Sequence, residues 1–208
     1  MSGTSPQIPD TPMSVVTDEE GIVRCAWSGR DAEYRRYHDE EWGVPLHGDR
    51  PLFEKLSLEG FQAGLSWITI LRRRATFRHA FADFDIDVVA ELSPSDVERL
   101  LLDPGIIRNR AKIDATISNA RITRELVRDD PGALDRLLWS FAPDRRARPP
   151  HALDVPAVTV ESNAMSKALR GHGYRFVGPT TLYALMQSSG MVDDHVEGCW
   201  RAVAEQGY

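Results

Sequence analysis

The sequence predicts an all-α fold, and three observations carry that reading. Apolar residues recur at intervals of three and four along most of the chain, the spacing that gives a helix one buried face. Helix punctuation is frequent, with capping residues and prolines before apolar runs and glycines after them. Only Val155 to Val160 reads as a strand, and Pro156 interrupts it. The 208 residues suit one domain or at most two small ones. A chain of this length buries about two thirds of its unfolded surface and needs no disulfide framework.

Taken in order, residues 1 to 21 hold three prolines, no Lys or Arg, and the acids Asp10, Asp18, Glu19 and Glu20. They read as a disordered acidic tail ahead of a helical body from 22 to 208. Helices are expected near 31 to 40, 51 to 63 and 67 to 81. The next begins at Ser93-Pro94-Ser95-Asp96, an N-cap followed by proline at the first helical position and an acid two places later. It runs through Val97, Leu100 and Leu101 and stops at Asp103-Pro104-Gly105. Further helices are expected near 108 to 127, 132 to 140, 162 to 171 and 179 to 189. Arg145 to Pro150 reads as an exposed basic loop.

The formal net charge of -6 argues at first against a nucleic-acid partner, because phosphate binding usually leaves a basic signature. Four of those charges sit in the tail, however, which leaves -2 on the other 187 residues. The near-neutral body carries separate basic patches. Arg72, Arg73, Arg74 and Arg78 come without an acid, and Arg108, Arg110, Lys112, Arg121 and Arg124 face only Asp114. No stretch approaches the roughly eighteen apolar residues of a membrane helix, and no secretory signal opens the chain. A cytoplasmic protein is expected, whose two cysteines are thiols or metal ligands.

Cys25 and His38, with His195 and Cys199, have the spacing of a metal site. The second pair is four residues apart, which places both on one face of a helical turn, within reach of a single ion. Two thiolates and two imidazoles make a closed, structural zinc site that clamps the start of the body to its end. Buried thiols and ordinary hydrogen-bonded histidines are the competing reading.

Glu59 is the second anomaly. At about 100° per residue it falls beside Leu52, Leu56 and Ala63 on the apolar arc of its helix. A carboxylate there is costly unless paired, so it either meets an arginine in the core or faces a pocket. Trp27, Tyr37, Trp42 and Trp67 lie within 41 residues of a chain that is only 8% aromatic. Each can be core packing, but together with a carboxylate they suit a flat, electron-poor heterocycle. Finally, Gly171 and Gly173 end one helix, and Gly178-Pro179 opens another. Such a turn is either a plain helical hairpin or a phosphate-binding one. Lys167, Arg170 and Arg175 against the single acid Glu161 favour the latter.

These residues, read as motifs, closely resemble the DNA-3-methyladenine glycosylase I family. The motifs are CAW at 25 to 27, YHDEEWGVP at 37 to 45, LEGFQAGLSWITIL at 58 to 71 and DPGIIRNRAKI at 103 to 113. They continue with LWSFA at 138 to 142, SKAL at 166 to 169, RFVGPTTLYALMQ at 175 to 187 and DDHVEGC at 193 to 199. The resemblance covers about residues 22 to 200, in the family's order. It departs at Ala26, where the family often has Gly, at Asp193, where Asn is common, and in the extra tail.

The resemblance implies a helix-hairpin-helix glycosylase with one structural zinc per chain, a monomer that removes 3-methyladenine from alkylated double-stranded DNA. It makes Cys25, His38, His195 and Cys199 the zinc ligands and Glu59 the acid that meets the extruded base. Trp27, Tyr37, Trp42 and Trp67 become the pocket walls. Gly64 and Leu65 fall on the loop that approaches the gap in the duplex, and the hairpin with Lys167, Arg175, Gly178 and Thr180 grips DNA. Asp193 or Asp194 stands about where the wider superfamily keeps a catalytic aspartate. No lyase step is implied, since Pro179, Thr180 and Thr181 follow Gly178 where bifunctional relatives carry a lysine. Two cysteines are too few for an iron–sulfur cluster. The competing classes are a non-catalytic helical DNA-binding module and a helical protein-interaction domain.

Overall fold

The computed structural model describes residues 14 to 202 apart from residue 146. Within them the chain is helical apart from one small hairpin, as the periodicity predicts. Strand β1 (Val15–Thr17) pairs antiparallel with β2 (Val23–Cys25), with Val15 opposite Cys25. Ten α-helices follow among the described residues. They are α1 (Ala32–Glu40), α2 (Asp49–Gln62), α3 (Trp67–Leu71), α4 (Arg74–Ala80), α5 (Ile86–Ala90), α6 (Pro94–Leu102), α7 (Arg110–Val127), α8 (Ala133–Trp139), α9 (Val160–Gly171) and α10 (Pro179–Ser188).

Local chemistry accounts for the boundaries. Asp31 caps α1 by accepting from the Glu33 and Tyr34 amides, and Ser93 and Asp96 form a reciprocal capping box on α6. Asn109 caps α7 and Thr159 caps α9, while Pro179 takes the first position of α10.

Helix α2 runs through the centre and packs against α3, α7, α8 and α10. From Leu52 to Phe61 every residue except Glu54 is buried, so beyond its first turn this helix has almost no solvent face, and Lys55, Ser57 and Glu59 are enclosed. Phe53, Phe61, Phe77, Phe81 and Phe84 pack together beside it. Helix α5 packs along α7, and α10 packs against both α9 and α2.

Four expectations need correction. The acidic tail does not extend to residue 21: Val15 and Val16 find a partner strand, and Asp18 accepts from the Glu20 and Ile22 amides and pairs with Arg24. Residues 1 to 13 lie outside the described residues. The helix expected over 67 to 81 is broken at Arg72–Arg73, where Arg73 leaves helical geometry; the break brings Phe77 into the core and Arg74 to Glu41. Val155 to Val160 forms no strand, because no neighbouring strand is there to complete its hydrogen bonds. The short α5 went unpredicted because five residues are too few to show a helical period.

Gly190 fixes the end of α10 against the loop after α1. Its φ is +73°, and a Cβ would lie 2.6 Å from Val44 C and from Pro45 N. Both contacts are backbone, so neither can swing away. Gly190→Ala is therefore expected to destabilise the protein by about 3 kcal/mol, read as a lowered denaturant midpoint at unchanged slope.

Candidate active site and metal centre

Glu59 sits three residues from the end of α2 and is 2% exposed. It opens onto a cavity of about 350 Å³ whose wall includes Trp27, Tyr37, Trp42 and Trp67. All four aromatics singled out in the sequence are thus brought to the carboxylate. Each arrives on a different local device: Trp27 on a 3-10 turn, Tyr37 on α1, Trp42 just beyond α1, and Trp67 as the first residue of α3. Trp27 and Trp42 meet edge to face with centroids 5.0 Å apart, and Tyr37 and Trp67 lie 5.5 Å apart. The buried Trp67 Nε1 has no hydrogen-bond partner, which leaves an unpaired donor in the aromatic part of the cavity wall.

Among the described residues no arginine pairs with Glu59, as the competing reading required; the charge that acts on it is the Lys55 ammonium. Ser188 Oγ, from the end of α10, donates to Glu59 Oε1 at 2.9 Å. Burial pushes the carboxyl upward from its ordinary range, opposed by the charge of Lys55 and by the Ser188 hydrogen bond.

Two aspartates treated together in the sequence point different ways. Asp194 lines the cavity and accepts from Tyr183 Oη at 2.6 Å and Gln187 Nε2 at 2.8 Å. Asp193 turns to His195 and to Arg148, and it is absent from the cavity wall.

The candidate metal group lies beside the aromatic wall, with Trp27 against His38 and Trp42 against His195. Ligand atoms of Cys25, His38 and Cys199 lie within 4.8 Å of one another, all buried. Cys199 Sγ is 3.4 Å from His38 Nε2. The His38 Nδ1 is held by Asp39 Oδ1 at 2.7 Å, and the His195 Nδ1 faces Asp193 Oδ1 at 3.1 Å. Both imidazoles are thereby oriented by carboxylates, the arrangement usual for metal-binding histidines. His195 stands outside the tight group, yet its ring lies 5.1 Å from that of His38 and its buried Nε2 has no partner. That orphaned nitrogen and the S₂N₂ donor set fit a tetrahedral ion. Cys199 is lowered by the hydrogen bond from Cys25 and by His38, whereas Cys25 is raised. The helical turn expected over 195 to 199 is not formed. The pair is joined instead by a tight turn in which the Cys199 amide donates to Val196 O and Gly198 takes a φ of +85°.

The remaining predicted residues lie on two exposed segments. Gly64 and Leu65 form the turn between α2 and α3, with Gly64 at φ +82° and Leu65 39% exposed. Lys112 Nζ donates to the Phe61 and Ala63 carbonyls at 2.8 and 2.6 Å, satisfying the end of α2 that leads into this turn. Lys167, Arg175 and Thr180 are exposed on the α9–α10 hairpin, and Gly178 is half-buried at its second corner. Asn119 holds that hairpin, donating to Arg175 O and accepting from Arg175 N. Phe176 packs near Gly60 of α2, so hairpin and turn are tied to the same helix as Glu59.

Comparison with known proteins decides the relationship. The family model described as methyladenine glycosylase matches residues 27–202. The chain belongs to the methyladenine glycosylase family. It is 45% identical over 181 residues to the DNA-3-methyladenine glycosylase 1 of Escherichia coli strain K12, covering 86% of this chain and 96% of that one. A crystal structure of a 3-methyladenine DNA glycosylase I superposes with a TM-score of 0.82 at 44% identity, covering 85% of this chain and 98% of the other. A Staphylococcus aureus structure described as showing the structural basis of 3-methyladenine recognition gives 0.79 at 33% identity, covering 85% and 94%.

Membership also frames what sequence reasoning missed. Tyr34, Gln62, Gln187 and Ser188 line the cavity of this methyladenine glycosylase. Tyr34 was findable, since it lies one turn before Tyr37 on the same face of α1. Ser188 was not, because it meets Glu59 only through the packing of α10 on α2.

Proposed function

We propose that this chain is a monofunctional DNA glycosylase that flips 3-methyladenine out of alkylated double-stranded DNA and hydrolyses its glycosidic bond. The observation that carries the reading is Glu59, a buried carboxylate without an arginine, inside an aromatic cavity of purine-binding scale. The relatives' names give the lesion.

Flipping costs a few kcal/mol, and less for a damaged base. On methylation at N3 the adenine is cationic within DNA, so the bond's electron pair passes to the base, which leaves neutral without needing a strong acid. The protein's task is then to select and hold. Trp27, Tyr37, Trp42 and Trp67 stack on the base, and Glu59 accepts from its edge while its charge favours the cationic nucleotide and the oxocarbenium-like sugar. Asp194, held by Tyr183 and Gln187 on the cavity wall, is the better placed of the two aspartates to face the reacting sugar and water. Leu65 and Gly64 approach the gap in the duplex, and Lys167, Arg175, Gly178 and Thr180 hold its backbone. Cys25, His38, His195 and Cys199 hold one structural zinc, which joins β2 and α1 to the C-terminal segment and supplies no chemistry to the cavity. No helix among the described residues is long and apolar enough to cross a membrane, and we place the enzyme in the cytoplasm as a monomer.

Incubation with methylated duplex DNA is expected to release free 3-methyladenine, leaving abasic sites without strand cleavage. A folded, metal-loaded sample that binds DNA but releases no base would identify a binding module instead. One that binds no DNA even at low salt would leave a protein-interaction domain.

A further inference from the structure

Lys55 lies behind the cavity rather than in its lining, against Tyr37 and Trp67, and the reading above leaves it unused. It lies one turn before Glu59 on α2 and is 8% exposed, an expensive place for an ammonium. Its Nζ donates to Tyr37 Oη at 2.9 Å and sits 4.8 Å from the Tyr37 ring centroid and 4.7 Å from that of Trp67. The cation therefore backs two of the four walls against which a base would stack.

We propose that Lys55 is a positioning residue for base excision, fixing the Tyr37 hydroxyl as a donor into the cavity and keeping Glu59 ionised. This rests on the glycosylase reading. An ammonium offers donors and no acceptor, so the Tyr37 oxygen must accept from it. The phenolic proton is then turned to another acceptor, and Tyr37 is buried on the cavity wall. A ring nitrogen of the extruded base supplies that acceptor.

The charges around Lys55 support the second half. Glu41, just beyond α1, is taken by Arg74 of α4 at 2.8 Å, and Glu54 of α2 is taken by Arg78 of α4 at 2.8 Å. Glu59 is the neighbouring carboxylate without an arginine, and it is left to balance Lys55. Tyr34 and Tyr37 of α1 and Ser188 of α10 complete the groups facing the pair. Burial lowers Lys55 to about 8, while its charge in turn restrains the rise of Glu59. Between those two titrations both groups are charged. Activity should fall on the acid side as Glu59 gains a proton and on the alkaline side as Lys55 loses one.

The test is single-turnover release of 3-methyladenine from duplex DNA across pH, by the full chain and by Lys55→Met, Lys55→Gln and Tyr37→Phe. Lys55→Met is expected to lower the rate about ten- to a hundredfold, to move the acid limb to higher pH and to abolish the alkaline limb near pH 8. Its loss should be less than additive with that of Tyr37→Phe. Lys55→Gln keeps a donor for Tyr37 and should show the same limb changes with a smaller loss, so it carries the test if the Met variant fails to fold. Wild-type limbs in both Lys55 variants, or a uniform loss with unmoved limbs, would overturn the inference and leave Lys55 structural. Wild-type protein that releases no base overturns the glycosylase reading itself.

Discussion

Glu59→Gln is expected to lower 3-methyladenine release by about a hundred- to a thousandfold without lowering the melting temperature. The magnitude follows from what the substitution keeps and removes. Glutamine has the same shape and still accepts from Ser188 Oγ, so the wall of the cavity stays as it is. The charge that faces the cationic nucleotide is lost, inside a site where burial removes the screening of water. Stability should hardly move. Burial raises the Glu59 carboxyl in the folded protein, so the native state holds its proton to higher pH than the unfolded chain. Stability then falls as pH rises from the unfolded carboxylate's 4.5 toward the raised native value, and remains lowered above it. Removing the ionisable group abolishes that loss, while the buried Lys55, already lowered to about 8, loses the charge that balances it; the two effects oppose, so near neutral pH the glutamine variant should unfold close to the wild-type temperature. Parallel measurement of base release and thermal unfolding checks both halves. A large drop in melting temperature would mean that the carboxylate holds the core together rather than serving the base.

The contrast between Glu59 and Ser188 shows where reading the sequence succeeds. Glu59 violates the helical pattern of its own segment, and a violation of that kind is visible locally, with no knowledge of what surrounds it. The same holds for the capping box at Ser93 and Asp96, which contains its whole cause within four residues. Ser188 violates nothing, and its meaning comes only from a contact made across 129 residues of chain. Lys55 was hidden for a different reason: a lysine in a helix is unremarkable until that helix is known to be enclosed on almost every side. Short elements escaped as well. Strand β1 is three residues long, and Asp18, which follows it, closes the turn and pairs with Arg24 rather than standing as solvated charge. That pairing also softens the inference from net charge, because Asp18 belongs to the folded body.

Removal of the metal is expected to produce the largest loss of stability, about 3 kcal/mol or more, with base release failing only as the fold does. The residues explain both the size and the indirectness. Cys25 ends β2, His38 lies within α1, and His195 and Cys199 belong to the segment after α10, so an ion held by all four would join parts of the body more than 150 residues apart. Few other contacts do so: the apolar cluster at this end consists of Cys25, Val196 and Cys199, with Val15 and Trp200 beside it. Without an ion, two buried thiols and the unpartnered His195 Nε2 face one another, and the cost of those groups is no longer offset. The effect should reach the cavity through Tyr37 and His38, neighbours on one turn of α1, the first in the cavity wall and the second in the candidate metal group. Elemental analysis should find about one zinc per chain, and chelation or Cys199→Ser should lower the melting temperature together with base release, both returning when zinc is restored to the chelated protein. A chelated sample that melts as the loaded one does would show that the carboxylate-held histidines and the small apolar cluster close this end of the molecule unaided.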